Sequence, residues 1–435
     1  MSTIEYNLKK IESKNKEAKI VEFNNKHFSK SCYLPAVMFD VQSREDLNAV
    51  KRYYFQRLPS DHIFGFTIPF SKLATIVNEL SSNVPHDTTY LCDIETEIFW
   101  WGNLKETIQK YYHENSTIHE KIKKGIKDIS LTHNHKDKIN KHKEFWKSII
   151  RNRRILLSLL TSYIKRQNAY QIGIPSAFGP LLIDKDHIDF LEDCYVLTKR
   201  LYHNSTNDIE QQGKLIALYA NFHTDFLAKA GNVPEFLKMI ERTSPRALIF
   251  KIFNLTDIRE KPTFKKNYDA LVRGISDLSQ SLNIPTFLLS VHTSGYKANM
   301  QGIDVFCEPF YREVNVPRER GGMNLETRNR LKEMNPTLMS GKIYNIKTGD
   351  LINRQEFQET CLTDTKIDSP IENLSKINPS IVKGMTDSTF REFAKMLLME
   401  SRNFEETQLH KGIDDDDLSK IRLKVSRWEG NNIPK

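Results

Sequence analysis

The chain has 435 residues, of which 39% are hydrophobic and 10% aromatic, a composition that supplies a large core and excludes a disordered protein. No run approaches the roughly 18 apolar residues of a membrane helix, and the polar segment Met1–Lys19 lacks the apolar core of a signal peptide. We therefore expect a cytoplasmic protein without a membrane partner. The five cysteines are odd in number and widely spaced, which argues against a disulfide scaffold and a cysteine-only zinc site.

The net charge of +9 is concentrated in one segment. Residues 104–168 hold 16 Lys and Arg against 6 Asp and Glu, whereas the rest of the chain holds 48 basic and 49 acidic residues. Such a local excess of positive charge indicates a surface that meets phosphates or another polyanion.

Eight apolar runs, most of them nearly continuous, predict buried parallel strands. In chain order they are Cys32–Val41, His62–Phe70, Thr88–Glu95, Ala169–Ser176, Lys214–His223, Ala247–Leu255, Ile284–His292 and Gly302–Glu308. Segments with helical spacing lie between or after them, at Ser43–Leu58, Phe70–Leu80, Asp186–Tyr202, Phe226–Ile240, Phe264–Leu282 and Asn324–Met334.

This alternation predicts an α/β fold, a (β/α)8 TIM-type barrel over residues 32–312. An N-terminal extension (1–31) precedes it, and a long basic helical insertion (104–168) separates strands 3 and 4. A mixed, mostly helical C-terminal extension (313–435) is expected to pack on the barrel, with a hairpin-like stretch at Tyr344–Ile352. An open doubly wound sheet is the rival architecture, but no Gly-rich turn follows the first strand to favour it.

Function in a barrel of this kind sits at the carboxyl ends of the strands. Polar side chains near these ends include Asp40, Thr67, Asp93, Glu95, Glu97, Ser176, Asn221, His223, Asp225, Lys251, Asn254, Ser290, His292, Asp304, Cys307 and Glu308. The predicted catalytic set is Asp93, Glu95, His223, Lys251, His292 and Glu308, which suits general acid–base chemistry or a divalent cation.

Other interpretations of these residues stay open. Strands end near water in every barrel, and a histidine there is often structural. Lys251 lies inside an apolar run, where a lysine is costly unless paired. It is therefore a catalytic amine, an anion ligand or the partner of a core carboxylate such as Asp93 or Glu308.

The loops after the last two strands predict a phosphate site, because barrels often bind phosphate there. The candidates are Ser294, Gly295 and Lys297 after strand 7, and Arg318 and Arg320 after strand 8. No nucleophile elbow, phosphate-binding P-loop, His-Glu-x-x-His metal motif or dinucleotide glycine motif is present, so cofactors and metals stay unassigned.

The basic segment has helical periodicity and predicts two long helices packed as a hairpin, with its tip at Thr132–Lys138. Its candidate phosphate contacts to RNA or DNA are Lys123, Lys124, Lys127, Arg151, Arg153 and Arg154. Tyr111, Tyr112 and Trp146 could add base stacking. The alternative is a solvated hairpin used for packing or homo-oligomerisation. A metal at His133, His135 and His142 is a further hypothesis.

One stretch, FLLSVHTSGYKANMQGIDVFCEP from Phe287 to Pro309, resembles the end of a tRNA-guanine transglycosylase-type barrel. The resemblance places the family's nucleophilic aspartate at Cys307, next to Glu308. Asp93 falls where the family has the aspartate of its Asp-Ser-Gly-Gly-Phe motif, but the following glycines are missing. The family's zinc cysteines are also missing, since only Cys361 follows the barrel. The resemblance covers strands 3, 7 and 8 and implies the barrel fold and a nucleic-acid substrate.

Three functions follow as hypotheses. The first is a barrel protein that acts on or binds a nucleic acid or nucleotide, transglycosylase-like in outline. The second is a lyase or hydrolase of a small phosphorylated substrate, bound at the same end of the barrel. The third is a catalytically degenerate barrel that serves as a binding or scaffold subunit.

Overall fold

A computed structural model describes most of the chain between residues 37 and 309 and a few short stretches after it. The described residues are 37–56, 65–84, 88–101, 116–170, 172–205, 216–252, 262–290, 298, 301–309, 343–344, 351–352, 392, 395 and 399. They form an α/β fold with a curled, eight-stranded, all-parallel sheet and helices between the strands. None of the described helices is long and apolar enough to cross a membrane.

The sheet has the strand order β3-β2-β1-β8-β7-β6-β5-β4, and each neighbouring pair is parallel. Its strands are β1 (Val37–Asp40), β2 (Gly65–Pro69), β3 (Tyr90–Asp93), β4 (Leu181–Leu182), β5 (Ala217–Phe222), β6 (Ala247–Ile252), β7 (Thr286–Leu289) and β8 (Val305–Pro309). Strands β2, β5, β6 and β7 are buried along their whole length. That is why their sequences read as apolar runs and not as alternating patterns.

The helices lie mainly between the strands, as right-handed parallel connections require. They are α1 (Arg44–Gln56), α2 (Leu73–Leu80, preceded by the 3-10 turn Phe70–Lys72), α3 (Ile98–Trp101), α4 (Ser116–Ser130), α5 (His135–Arg151), α6 (Arg153–Ala169), α7 (Asp186–Ser205), α8 (Thr224–Ala228), α9 (Asn232–Thr243) and α10 (Pro262–Ser281). A separate antiparallel pair, β9 (Ile343–Tyr344) and β10 (Leu351–Ile352), forms the expected hairpin.

The fourth predicted strand, Ala169–Ser176, is the main departure from the expected elements. Ala169 ends α6, and the following segment makes only isolated parallel bridges, from Ile174 to Leu91 of β3 and from Ser176 to Ala217 of β5. Pro175 has no backbone N–H, so a regular ladder cannot run through it. The regular strand β4 forms further along, beside the end of β5.

The register of the sheet sorts the polar residues by face. Asp40 pairs with Thr67, which pairs with Leu91, two residues before Asp93. On the other side Asn221 pairs with Lys251. Since side chains two apart share a face and paired residues do too, these positions all lie on one face of the curled sheet. We call it the inner face.

The described part of the basic segment contains three helices where the sequence predicted two. The turn at residues 131–134 overlaps the predicted tip, but a second break at Asn152 divides the expected second helix into α5 and α6. Asn152 has φ −90° and ψ 82°, and its side chain caps α6 by accepting a hydrogen bond from Ile155 N at 3.3 Å. Asparagine is a preferred N-cap residue, so one residue ends one helix and starts the next.

Described residues near the C-terminus contact α1. Lys395 Nζ lies 2.5 Å from Asp46 Oδ1 and 2.8 Å from Glu45 Oε1, and Asn48 donates to Glu392 at 2.9 Å. Met399 is fully buried. The predicted helix at 324–334 lies outside the described residues.

Candidate active site

The ammonium group of Lys251 is the centre of a buried charge cluster on the inner face. Its Nζ atom lies 2.6 Å from Asp93 Oδ2 and 2.6 Å from Glu97 Oε1, and all three side chains are nearly excluded from solvent. Burial acts to lower the pKa of Lys251, but the two carboxylates overcome it and raise the pKa above its ordinary value. Lys251 is therefore a fixed cation paired with Asp93, as one of the sequence interpretations held, and with Glu97.

Asp93, the last residue of β3, has hydrogen-bond partners on both oxygens. Oδ2 accepts a hydrogen bond from Lys251 Nζ. Oδ1 accepts hydrogen bonds from the Tyr219 hydroxyl at 2.5 Å and from the Glu95 amide at 3.0 Å. Burial acts to raise its pKa, but Lys251 and these donors lower it below the ordinary value. These hydrogen bonds fix the Asp93 carboxylate in place and keep it ionised.

Glu97 also has both oxygens engaged. Oε1 meets Lys251, while Oε2 accepts from Asn221 Nδ2 at 2.6 Å. Asn221 belongs to β5, so this bond ties the turn after β3 to a strand on the other side of the sheet. Asn221 Oδ1 is buried and makes no hydrogen bond within the described part of the chain.

Glu95 and Ser290 both occupy the left-handed region, with φ near 55°; Glu95 lies two residues after β3, and Ser290 directly follows β7. Residues other than glycine rarely adopt this conformation, and strained backbone of this kind clusters at functional sites. Each strained residue brings its side chain to a neighbour: Glu95 Oε2 accepts from the Ser71 amide at 2.8 Å, and Ser290 Oγ donates to Asp40 Oδ2 at 2.8 Å.

Asp40 and Glu95 are the two carboxyls that the cation does not reach directly. Burial, with a further contribution from the negative charge of Asp93, raises the pKa of each to about 7. Asp40 is 3% exposed, and its Oδ1 makes no hydrogen bond among the described residues. A carboxyl that titrates near neutral pH can act as a proton donor or acceptor.

Cys307 and Glu308 are adjacent on β8 and therefore point to opposite faces of the sheet. Cys307 pairs with Met38 on the Asp40 face, whereas Glu308 pairs with Phe39. Burial, together with the charges of Asp40 and Asp93, raises the pKa of the Cys307 thiol well above its ordinary value. Glu308 is buried on the face that the helices cover, away from the inner face.

The strand-end residues Asn221, His223 and Asp225 do not share one strand face, because β5 ends at Phe222 and α8 begins at Thr224. Asn221 joins the carboxylate cluster. His223 Nδ1 accepts from the Asp225 amide at 3.2 Å, and its ring packs against Trp100. Burial lowers the pKa of His223 to about 4, so it is uncharged near neutral pH.

The basic helices are anchored beside this end of the sheet. The imidazole Nε2 of His135, the first residue of α5, contacts the Asp225 carboxylate, and the His135 ring lies 6.0 Å from that of His223. Lys138 Nζ sits 4.7 Å from the centre of the Trp100 ring. The α4–α5 turn therefore lies next to the carboxyl end of β5, two residues beyond Asn221.

A buried hydrogen-bond chain fixes α5 to the start of α7. His187 Nδ1 bonds Asp184 Oδ1 at 2.8 Å, His142 Nδ1 bonds His187 Nε2 at 2.8 Å, and Trp146 Nε1 donates to His142 Nε2 at 3.2 Å. A carboxylate only accepts and an indole N–H only donates, so both imidazoles must be neutral with the proton on Nδ1. Burial, reinforced by His187, lowers the pKa of His142 well below its ordinary value.

This chain accounts for His142, and Trp146 is fully buried within it, so the predicted role of Trp146 in base stacking is wrong. Among the described residues no group of three or more His, Cys, Asp or Glu side chains could hold a metal ion. The hypothesis of a metal at His133, His135 and His142 therefore has no support in this region.

The six predicted nucleic-acid contacts are all exposed. Lys123, Lys124 and Lys127 lie on α4, Arg151 ends α5, and Arg153 and Arg154 begin α6. Several sequence candidates lie outside the described residues, namely Tyr111, Tyr112, His292, Ser294, Gly295, Lys297, Arg318 and Arg320.

Sequence reasoning left several cluster members out of the catalytic set. The predicted catalytic set lacks the strand-end residues Asp40, Glu97, Asn221 and Ser290, and it also lacks Tyr219. Tyr219 lies two residues before Asn221, so the period of two along β5 was the signal that could have placed it on the same face.

In a comparison with known proteins, no family model and no curated protein matches the chain. The function is therefore argued from the geometry of the site alone.

Proposed function

We propose that the chain is a (β/α)8-barrel enzyme that acts on a nucleic acid or nucleotide by general acid–base chemistry at the carboxyl ends of its strands. The observation that carries the proposal is a juxtaposition. A buried acidic cluster around Lys251 and the anchor of three basic helices occupy the same end of the sheet.

Closure of the barrel is supported by the segment between α6 and β4. Ile174 bridges β3 and Ser176 bridges β5, with Gly173 N to Tyr90 O at 3.0 Å and Ala217 N to Pro175 O at 2.9 Å. A single short stretch thereby connects the edge strand β3 to β5, the strand next to the opposite edge of the sheet. In this arrangement α4, α5 and α6 form an insertion between the third and fourth strand positions.

The sign of the charges suggests how a substrate is divided between the two regions. Asp40, Asp93, Glu95 and Glu97 surround one cation, so the inner face is unfavourable for a phosphate. The exposed lysines and arginines of the basic helices attract one. We infer that the phosphates lie on the helices, and that a sugar, a base or another uncharged group reaches the carboxyls.

Roles within the site follow from the hydrogen bonds. Asp93 and Lys251 hold a fixed charge pattern, whereas Asp40 and Glu95 exchange protons with the substrate. Glu308 has no role in this proposal, because it lies on the helix-covered face. A covalent step at that residue, as the transglycosylase resemblance would suggest, is therefore not included.

The test is an assay for chemical change in nucleic acid. The full-length protein is incubated near pH 7 with mixed-sequence RNA and DNA, which are then digested and examined by mass spectrometry for released bases or altered nucleosides. Glu95→Gln and Asp40→Asn should lower turnover by at least about a hundredfold, the scale of general acid–base catalysis.

Glu241→Gln, an exposed glutamate on α9, is the matched control and should leave turnover unchanged. Loss of turnover in the two site variants with retained binding supports the proposal. Turnover that survives both substitutions would overturn the assignment of the carboxyls, and a protein that binds neither RNA nor DNA would overturn the substrate class.

A second candidate function is a catalytically inactive barrel that only binds. The saturation of Asp93, Glu97 and Lys251 by one another favours it, since structural ion-pair networks have the same property. Lys251→Met distinguishes this candidate from the enzyme. If the barrel is inactive, the variant loses stability but keeps nucleic-acid binding, and neither the wild type nor the variant forms a chemical product.

A further inference from the structure

We propose that the outward surface of α4, α5 and α6 binds the phosphate backbone of double-stranded nucleic acid, without base stacking. We call this surface the basic face. Its exposed cations are Lys121, Lys123, Lys124, Lys127, Lys136, Lys141, Lys147, Arg151, Arg153, Arg154 and Lys165. The inference deepens the proposed function and rests on it, because it specifies the form of the nucleic acid.

The charge on the basic face is largely uncompensated. Residues 120–169 contain 14 Lys and Arg but only 4 Asp and Glu. Two of those acids, Glu120 and Glu144, make exposed pairs with Lys123 at 3.5 Å and Lys141 at 3.3 Å. Such solvated pairs are weak and do not prevent a lysine from meeting a phosphate. The surplus cations are free to displace counterions from a nucleic acid.

The described apolar residues of these helices are buried or partly buried against the core. Ile122, Ile126 and Ile129 of α4 are buried, as are Phe145 and Trp146 of α5. Among the described residues, Leu131 at the α4–α5 turn is the one large hydrophobic side chain that is exposed. Apart from the His135 imidazole at the start of α5, the described basic face therefore presents cations and small polar groups, and no exposed Phe, Tyr or Trp ring.

This composition decides between two kinds of nucleic acid. Proteins that hold single strands combine a basic groove with aromatic rings on which successive bases stack. In a duplex the bases are already stacked on one another, and the two strands present a phosphate charge about every 1.7 Å along the axis. A cationic surface whose described residues expose no Phe, Tyr or Trp ring fits the duplex.

The helices are also held as a rigid layer. Helix α5 packs against α4, α6 and α7, and the buried His142–His187 hydrogen bond fixes α5 to α7. The 17 residues of α5 give it a length of about 25 Å. That is the length of about seven base pairs at 3.4 Å each. A preorganised array of cations on this scale binds a stiff duplex without first being ordered.

The experiment compares matched probes on the full-length protein. Fluorescence anisotropy is measured with a 20-base-pair duplex and with one of its strands alone, as RNA and as DNA, over a series of salt concentrations. We expect the duplex to bind more tightly than the strand. We expect Lys121→Gln/Lys124→Gln/Lys127→Gln to reduce the slope of log affinity against log salt by about 2 to 3.

A matched triple variant removes the same charge elsewhere: Lys229→Gln/Lys266→Gln/Arg273→Gln changes three exposed cations outside these helices. It should leave affinity and slope unchanged. If the single strand binds more tightly, the duplex inference fails while the proposed nucleic-acid function stands. If both triple variants behave alike, the basic face is not the binding surface. If neither probe binds, both proposals fail.

Discussion

The two charged regions of this protein have opposite signs and opposite relations to solvent. On the inner face of the sheet, Lys251, Asp93 and Glu97 are buried and complete one another's hydrogen bonds. On the basic face the cations are exposed and their few partners are solvated. Burial makes each charge of the first region expensive to leave alone, whereas the charges of the second are interchangeable. Substitutions in the two regions should therefore differ in kind.

The largest effect is expected at the buried cation. Lys251→Met keeps much of the side-chain volume but leaves Asp93 and Glu97 without their counter-charge, which should lower the free energy of unfolding by about 3 to 5 kcal/mol. Chemical denaturation measures it. The matched control is Lys238→Met on the surface, whose ion pair with Glu235 at 3.0 Å is exposed and should change stability by at most about 1 kcal/mol. Equal losses in the two variants would contradict the buried network.

The next effect depends on pH. The pKa of Glu95 is raised to about 7 in the folded protein, from an ordinary value of 4.5. A carboxyl whose folded pKa is raised stabilises the fold below its unfolded pKa, and this stability is lost as pH rises through the folded pKa. Glu95→Gln cannot ionise and escapes the loss. Its stability relative to wild type should therefore rise between about pH 4.5 and 7, by on the order of 3 kcal/mol.

Denaturation of both proteins at several pH values measures that difference, and taking the difference removes the contributions of groups they share. Glu241→Gln, at an exposed position, should run parallel to wild type over the same range. A Glu95→Gln variant that also runs parallel to wild type would mean that Glu95 is ionised throughout, as an exposed glutamate is.

The positions of the strands and the faces of their side chains could be predicted from the sequence, whereas the part of the site beyond the strand ends could not. Seven of the eight apolar runs overlap strands of the sheet, because buried parallel strands need continuous apolar residues. The fourth run forms no regular strand, since Ala169 ends α6 and Ile174 and Ser176 make only isolated bridges to the sheet, whereas β4 forms further along. The sequence shows an apolar stretch there but not which element it belongs to.

Side-chain partners depended on where each strand stops. Asp93 and Lys251 meet because both belong to regular strands whose register carries them to the inner face. His223 leaves that face because β5 ends one residue earlier. Glu95 and Ser290 reach their partners through left-handed backbone that no residue preference predicts. Strand boundaries are the least certain part of sequence reasoning, and this site lies on them.

A smaller effect tests the packing that fixes the basic helices. Gly125 of α4 faces the Phe145 ring of α5, and a Cβ atom added there would overlap the ring. Gly125→Ala gains about 1 kcal/mol of helix propensity but forces the ring to shift, at a cost of about 1 to 3 kcal/mol. We expect a net loss on the order of 1 kcal/mol by chemical denaturation. Gly231→Ala has open space around it and should change stability by about 0.5 kcal/mol or less.

The smallest effect is expected on the basic face. Lys123 pairs with Glu120 at 3.5 Å with both side chains about half or more exposed, so Lys123→Gln should change the free energy of unfolding by at most about 0.5 kcal/mol. The same substitution should still weaken nucleic-acid binding at low salt, because a phosphate is a stronger partner than a solvated carboxylate. A variant with normal binding and a large loss of stability would reverse the contrast between the two regions. It would mean that Lys123 serves the fold, and that the basic face is a packing surface.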